Sequence, residues 1–118
     1  MAKKILLIDD EPNVLKVLKS RLESENYSVI TASDGKEGLE KAKAEKPDLI
    51  ILDVIMPNKD GYTFIKEMQM DETIRRLPVI VASAKAEMED LFALEGIRDY
   101  IVKPFKTEEL LEKIKQQL

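Results

Sequence analysis

Five polar residues stand directly after short apolar runs: Asp9 and Asp10 after Ile5 to Ile8, Asp53 after Leu49 to Leu52, Ser83 after Val79 to Ala82, and Lys103 after Tyr100 to Val102. If those runs are neighbouring strands, three carboxylates meet at one rim, and each pair repels by about 4 kcal/mol at roughly 4 Å and an effective dielectric of about 20. A cation must sit among them. Hard oxygen donors, in a chain with no His and no Cys, select magnesium or manganese, with waters completing the octahedron. The Lys103 ammonium supplies a further positive charge. Ser83 offers a hydroxyl, but no imidazole exists to activate it. Asp53 is the better nucleophile: it is anionic at neutral pH and can attack a phosphoryl group and hold it as an acyl phosphate while metal and lysine neutralise the equatorial oxygens. Taken one at a time, each of the five is better explained as a solvated loop position; together they are less easily dismissed. The pair Asp9-Asp10 could be an N-cap and its neighbour before Pro12, and Asp10 can serve as cap and ligand together.

These residues must be positioned by strands. Ile5 to Ile8, Leu49 to Leu52, Val79 to Ala82 and Tyr100 to Val102 are short runs rich in Ile, Leu and Val, and Ser28 to Ala32 mixes β-branched with polar residues, as an edge strand does. Helical periods lie between them: Val14, Leu15, Leu18 and Leu22; Leu39 and Ala42; Ile65 and Met68; Met88, Leu91 and Phe92; Leu110, Ile114 and Leu118. Pro12 suits a first helical turn, Asp34 and Thr107 are N-cap candidates, Gly96 closes the fourth helix, and Pro47 and Pro78 precede strands. Alternating strand and helix implies a doubly wound, five-stranded parallel α/β sheet of flavodoxin-like (βα)5 type. The order 2-1-3-4-5 puts the aliphatic runs in the middle. Ligands of such sheets bind at the carboxyl ends, where the winding reverses between strands one and three.

With 118 residues the chain fits one domain, 1–118, and no output domain is expected beyond the fifth helix. The 19 Lys and Arg against 23 Asp and Glu leave a net charge of −4, which argues against nucleic acid or anionic lipid as a partner. Without His or Cys there are no imidazole bases, thiol nucleophiles or disulfides. No apolar run is long enough for a membrane span and no signal-peptide pattern opens the chain, so a soluble cytoplasmic protein is expected.

Three motifs in combination carry a resemblance: Ile8-Asp9-Asp10-Glu11-Pro12, Leu52-Asp53-Val54-Ile55-Met56-Pro57 followed by Asp60-Gly61, and Tyr100-Ile101-Val102-Lys103-Pro104-Phe105. Over its whole length the chain resembles a two-component response regulator receiver domain of the single-domain, chemotaxis-regulator kind. The resemblance implies a phosphorylation-activated switch. Asp53 would receive a phosphoryl group from a phosphohistidine of a sensor histidine kinase or phosphotransfer protein. Asp9, Asp10, Asp53 and the Ile55 backbone carbonyl would hold Mg2+, with Mn2+ as the alternative, and Lys103 would contact the phosphoryl group. Ser83 and Tyr100 would form the switch pair, reshaping the face of the fourth helix, fifth strand and fifth helix for a downstream protein target. The molecule would be a monomer, not an enzyme but a phosphoacceptor that catalyses its own phosphoryl transfer and a slow autodephosphorylation. Ile55 and Lys85, flanking the site, would position no hydrolytic water. The family usually has a cis bond between its lysine and proline, here Lys103-Pro104.

Three departures stand out: Ser83 where threonine is common, a shorter interval from Ser83 to Lys103, and Ile97 where a small residue usually follows the glycine. The last two bear on the fourth helix and the partner face. A phosphohydrolase built on an aspartate nucleophile is the competing enzyme class, but its second Asp, the general acid, is replaced here by Ile55. A degenerate receiver that only binds a partner is the third reading; against it, every charged rim residue is present.

Overall fold

An aliphatic run with β-branched residues can bury both of its faces only inside a parallel sheet covered by crossover helices. The computed structural model, which describes residues 2–53, 61–83, 89–97 and 99–118, has that architecture. Its strands are β1 (Lys4–Ile8), β2 (Ser28–Ala32), β3 (Leu49–Asp53), β4 (Val79–Ser83) and β5 (Asp99–Val102), and they alternate with α1 (Pro12–Ser24), α2 (Gly35–Glu45), α3 (Gly61–Gln69), α4 (Glu89–Leu94) and α5 (Thr107–Gln117). Every pairing is parallel and the order is β2-β1-β3-β4-β5. β3 and β4 are buried at every residue, whereas β2 exposes Ser28 and leaves the next three residues half-buried. The central and edge strands are therefore those expected from side-chain polarity. The polar ends Lys4, Asp53, Ser83 and Asp99 join the strands beyond the apolar runs, because ladder bonds need only backbone.

Side chains alternate between two half-cores with the period of the pleat. Leu6, Ile8, Ile50, Leu52, Val79 and Val81 face Leu39, Ala42, Phe64, Ile65, Met68 and Phe92. Ile5, Leu7, Leu49, Ile51, Ile80, Ala82 and Ile101 face Leu22, Leu110, Leu111 and Ile114.

Two of the expected caps shift. Asp34 is the N-cap of α2, its Oδ1 accepting the Glu37 N–H at 2.8 Å. The N-cap of α1 is Glu11, not Asp10, and it makes no side-chain cap bond; Pro12 follows in the first turn. Lys106, extended at φ −83 and ψ 141, takes the cap position of α5, so Thr107 is already helical. α4 ends as a Schellman motif: Gly96 at φ +85 donates to Ala93 O at 3.0 Å and Ile97 donates to Phe92 O at 3.1 Å. Only a residue without Cβ takes that conformation easily. Ile97, the unusual residue after this glycine, is buried against the same core as Phe92, the apolar contact that goes with such a cap.

Candidate functional site

Strand register builds the rim. β1 and β3 pair Ile8 with Leu52, so Asp9 and Asp53, each one residue further, emerge side by side. β3 and β4 pair Asp53 with Ala82, which places Ser83 one step beyond. β4 and β5 pair Ser83 with Val102, and the Lys103 N–H donates to Ser83 O at 2.7 Å, which sets the lysine at the same edge. Four of the polar residues thus converge through parallel pairing, and Asp10 follows Asp9 into the open.

Asp9, Asp10 and Asp53 each offer a carboxylate oxygen, and these oxygens lie within 4.8 Å of one another. Asp9 and Asp53 are buried while Asp10 is exposed. The Lys103 Nζ donates to Asp53 Oδ2 at 3.1 Å and stands 3.6 Å from Asp9 Oδ2. Asp9 Oδ1 accepts the Glu11 N–H at 3.0 Å, so the first turn of α1 is tied to the rim by Asp9 itself. Burial pushes the Asp9 carboxyl above its ordinary range and repulsion from Asp53 adds to this, outweighing the Glu11 N–H and the Lys103 charge. Burial works to lower the Lys103 ammonium, but its hydrogen bond to Asp53 and the attraction of Asp53 and Asp9 prevail and hold it above its ordinary value. Such a trio of carboxylates on one ammonium retains net negative charge and an all-oxygen donor set. A hard divalent cation fits it. Beside it, an open cavity of about 620 Å³ runs between α1 and the start of α5, walled by Val14, Leu18, Ile51, Ala82 and Phe105.

Every expected site residue among the described ones is brought to the rim except Tyr100, which stands three residues before Lys103. Tyr100 is buried at 7% exposure, its ring 6.1 Å from that of Phe92. The tyrosine expected as half of the switch pair therefore lies inside the core. Lys103-Pro104 is cis, as the resemblance implied. Ile55, with its carbonyl, and Lys85 lie outside the described residues, as do Met56, Pro57, Asp60 and Met88. The sequence reading missed Glu95, which accepts from Tyr62 Oη at 3.0 Å and pairs with Lys66 Nζ at 2.9 Å. The available signal was the spacing of Tyr62, Lys66 and Gln69 along one face of α3.

Comparison with known proteins agrees with this architecture. The family model of the response regulator receiver domain matches residues 5–115. The alkaline phosphatase synthesis transcriptional regulatory protein PhoP of Bacillus subtilis is 43% identical over 117 residues, covering 98% of this chain and 48% of its own. The chain thus spans about half the length of the curated relatives it matches. Among solved structures, the chemotaxis response regulator CheY4 of Vibrio cholerae superposes with a TM-score of 0.92 at 31% identity, over 100% of both chains. The receiver domain of the sensor histidine kinase PA1611 of Pseudomonas aeruginosa, solved with a magnesium ion coordinated in its active-site cleft, gives 0.89 at 32% identity, over 99% of this chain and 98% of its own.

One expectation is corrected by these findings. A chain that is not an enzyme yet catalyses its own transfer and its own dephosphorylation joins two claims that conflict, and the family match shows a phosphoacceptor and nothing further. Ile55 and Lys85, expected to position no hydrolytic water, lie outside the described residues. The chain belongs to the response regulator receiver domain family, the phosphorylation-activated switches of two-component signalling.

Proposed function

We propose that Asp53 is the phosphoacceptor, that Asp9, Asp10 and Asp53 hold Mg2+, with Mn2+ as the alternative, and that Lys103 contacts the transferred group. A sensor histidine kinase or phosphotransfer protein is the donor. An Asp53 carboxylate oxygen attacks phosphorus and the N–P bond breaks; the donor phosphohistidine, carrying a proton on its other ring nitrogen, takes the bonding pair and leaves as neutral imidazole. The observation that carries the reading is three carboxylate oxygens within 4.8 Å of one another with an ammonium 3.1 Å from one of them. That cluster is an electrostatic liability unless a cation, and then a phosphoryl group, uses it. The magnesium described for the Pseudomonas receiver domain supports the choice of metal. Bound magnesium would supply charge neutralisation at the phosphoryl oxygens; the Ile55 carbonyl, expected as a further ligand, lies outside the described residues.

Ser83, buried at 1% exposure beside Asp53, and Tyr100 form the switch pair in this reading. Output passes through the face of α4, β5 and α5 to a protein target, a role that the exposed Leu94, Val102 and Leu118 suit. Residues 1–118 act as one monomeric receiver domain in the cytoplasm. No helix among the described residues is long and apolar enough to cross a membrane, and the net charge of −4 supports the absence of direct nucleic-acid contact by this domain. The test is intact mass after exposure to acetyl phosphate or a phosphorylated kinase with magnesium. One added phosphoryl group in the parent and none in Asp53→Asn is the expected result; uptake by the variant would refute Asp53 as acceptor.

A further inference from the structure

The C-terminal end of α4 is met by side chains of α3. Glu95, the residue between Leu94 and the left-handed Gly96, receives three side chains from one face of α3: Tyr62 Oη at 3.0 Å and Lys66 Nζ at 2.9 Å on its carboxylate, and Gln69 Nε2 on its backbone carbonyl. Lys66 also stands 5.4 Å over the Tyr62 ring. The positions 62, 66 and 69 are one stripe of α3. The same Tyr62 ring meets Phe92 edge-on at 5.7 Å and Phe92 meets Tyr100 at 6.1 Å. One residue of α4's end is thus gripped polar side outward while the next layer in is an aromatic row reaching the switch tyrosine.

We propose that Glu95 is a positioning residue, a clamp through which α3 fixes the Schellman end of α4 and, by way of Phe92, holds Tyr100 in its buried position in the unmodified protein. Phosphorylation then acts on a Tyr100 already packed inward, and the clamp raises the affinity of the rim for a phosphoryl group by holding that packing in advance. The connection to phosphorylation rests on the reading of Asp53, Ser83 and Tyr100 above; the clamp does not.

Two variants test it. Tyr62→Phe keeps the ring against Phe92 and removes one hydrogen bond, and Glu95→Gln removes the ion pair at constant shape. Amide hydrogen exchange is followed in both, with global stability from urea unfolding. Exchange at Glu95, Gly96 and Ile97 should rise roughly tenfold, and more in Glu95→Gln, while amides of β1 and β3 change only as far as global stability changes. The Tyr100 ring resonances should move toward solvent-averaged values in step. Affinity for beryllofluoride with magnesium should fall several-fold in both variants. Unchanged exchange at the three amides, or a rise equal to that of β1 and β3, overturns the clamp, the latter because it is mere loss of stability. Equal beryllofluoride affinity in parent and variants overturns its effect on the rim. Failure of the parent itself to bind beryllofluoride refutes the Asp53 reading instead, and the exchange data still decide the clamp.

Discussion

Replacing Asp53 with Asn separates what the rim does for stability from what it does for chemistry. In the absence of metal the substitution removes repulsion from Asp9 and Asp10, whose oxygens lie within 4.8 Å, and loses the attraction of Lys103 at 3.1 Å. At an effective dielectric of about 20 each repulsion is worth about 3.5 kcal/mol and the lost attraction about 5 kcal/mol. The two repulsions together exceed the attraction by about 2 kcal/mol. Asp10 is exposed, so water and salt screen its share and shrink that margin. The expected outcome is a variant as stable as the parent or more stable, by up to about 2 kcal/mol, in urea unfolding at low salt with a metal chelator present. Magnesium then reverses the trend. At ten times its dissociation constant the ion adds about 1.4 kcal/mol to a form that binds it, and the variant, with one carboxylate fewer, gains less. Unfolding curves with and without magnesium, together with far-UV spectra, give both numbers from one preparation. A variant destabilised by more than about 2 kcal/mol without metal would refute the reasoning, since the carboxylates would then not be repelling one another across the rim.

Lys103→Met should abolish phosphoryl uptake while tightening magnesium binding, because the ammonium 3.1 Å from Asp53 and 3.6 Å from Asp9 competes with the ion for the same oxygens; intact mass and a magnesium titration check the two halves, and weaker magnesium binding would count against the competition. Asp9 is held above its ordinary 3.8, so the folded form takes up its proton more readily than the unfolded chain does, and this group adds stability as pH falls from its folded value toward 3.8. Asp9→Asn should therefore remove that gain, so that stability measured without metal falls more steeply with acid than in the parent, and an identical slope in parent and variant would refute the assignment. Asp34→Ala removes the acceptor for the Glu37 N–H at 2.8 Å and should lower stability by about 1 kcal/mol in urea unfolding, with phosphoryl uptake unchanged.

Much of this molecule is legible in its sequence, for a reason visible at particular residues. The runs at Ile5, Leu49 and Val79 are apolar on both faces because the sheet is covered on both faces, and that pattern specifies strand identity, order and centrality before any contact is known. Asp34 and Gly96 announce helix ends through local backbone chemistry alone. The charged rim follows too, since parallel strands in register bring the residues after each run to one edge. What the sequence does not carry is anything decided by a side chain meeting another element. Asp9, not Asp10, serves the first turn of α1, because its carboxylate folds back onto the Glu11 N–H at 3.0 Å. Tyr100 lies buried on Phe92, a matter of which ring fills the space between β5 and α4. Glu95 reads as one more surface charge until α3 is laid beside α4, when residues 33 and 26 positions apart along the chain become hydrogen-bonded. Local propensity and periodicity act over a few residues and are written in the chain. Long-range pairing depends on the angle and distance at which helices pack on the sheet, and that is settled only when the whole core is assembled.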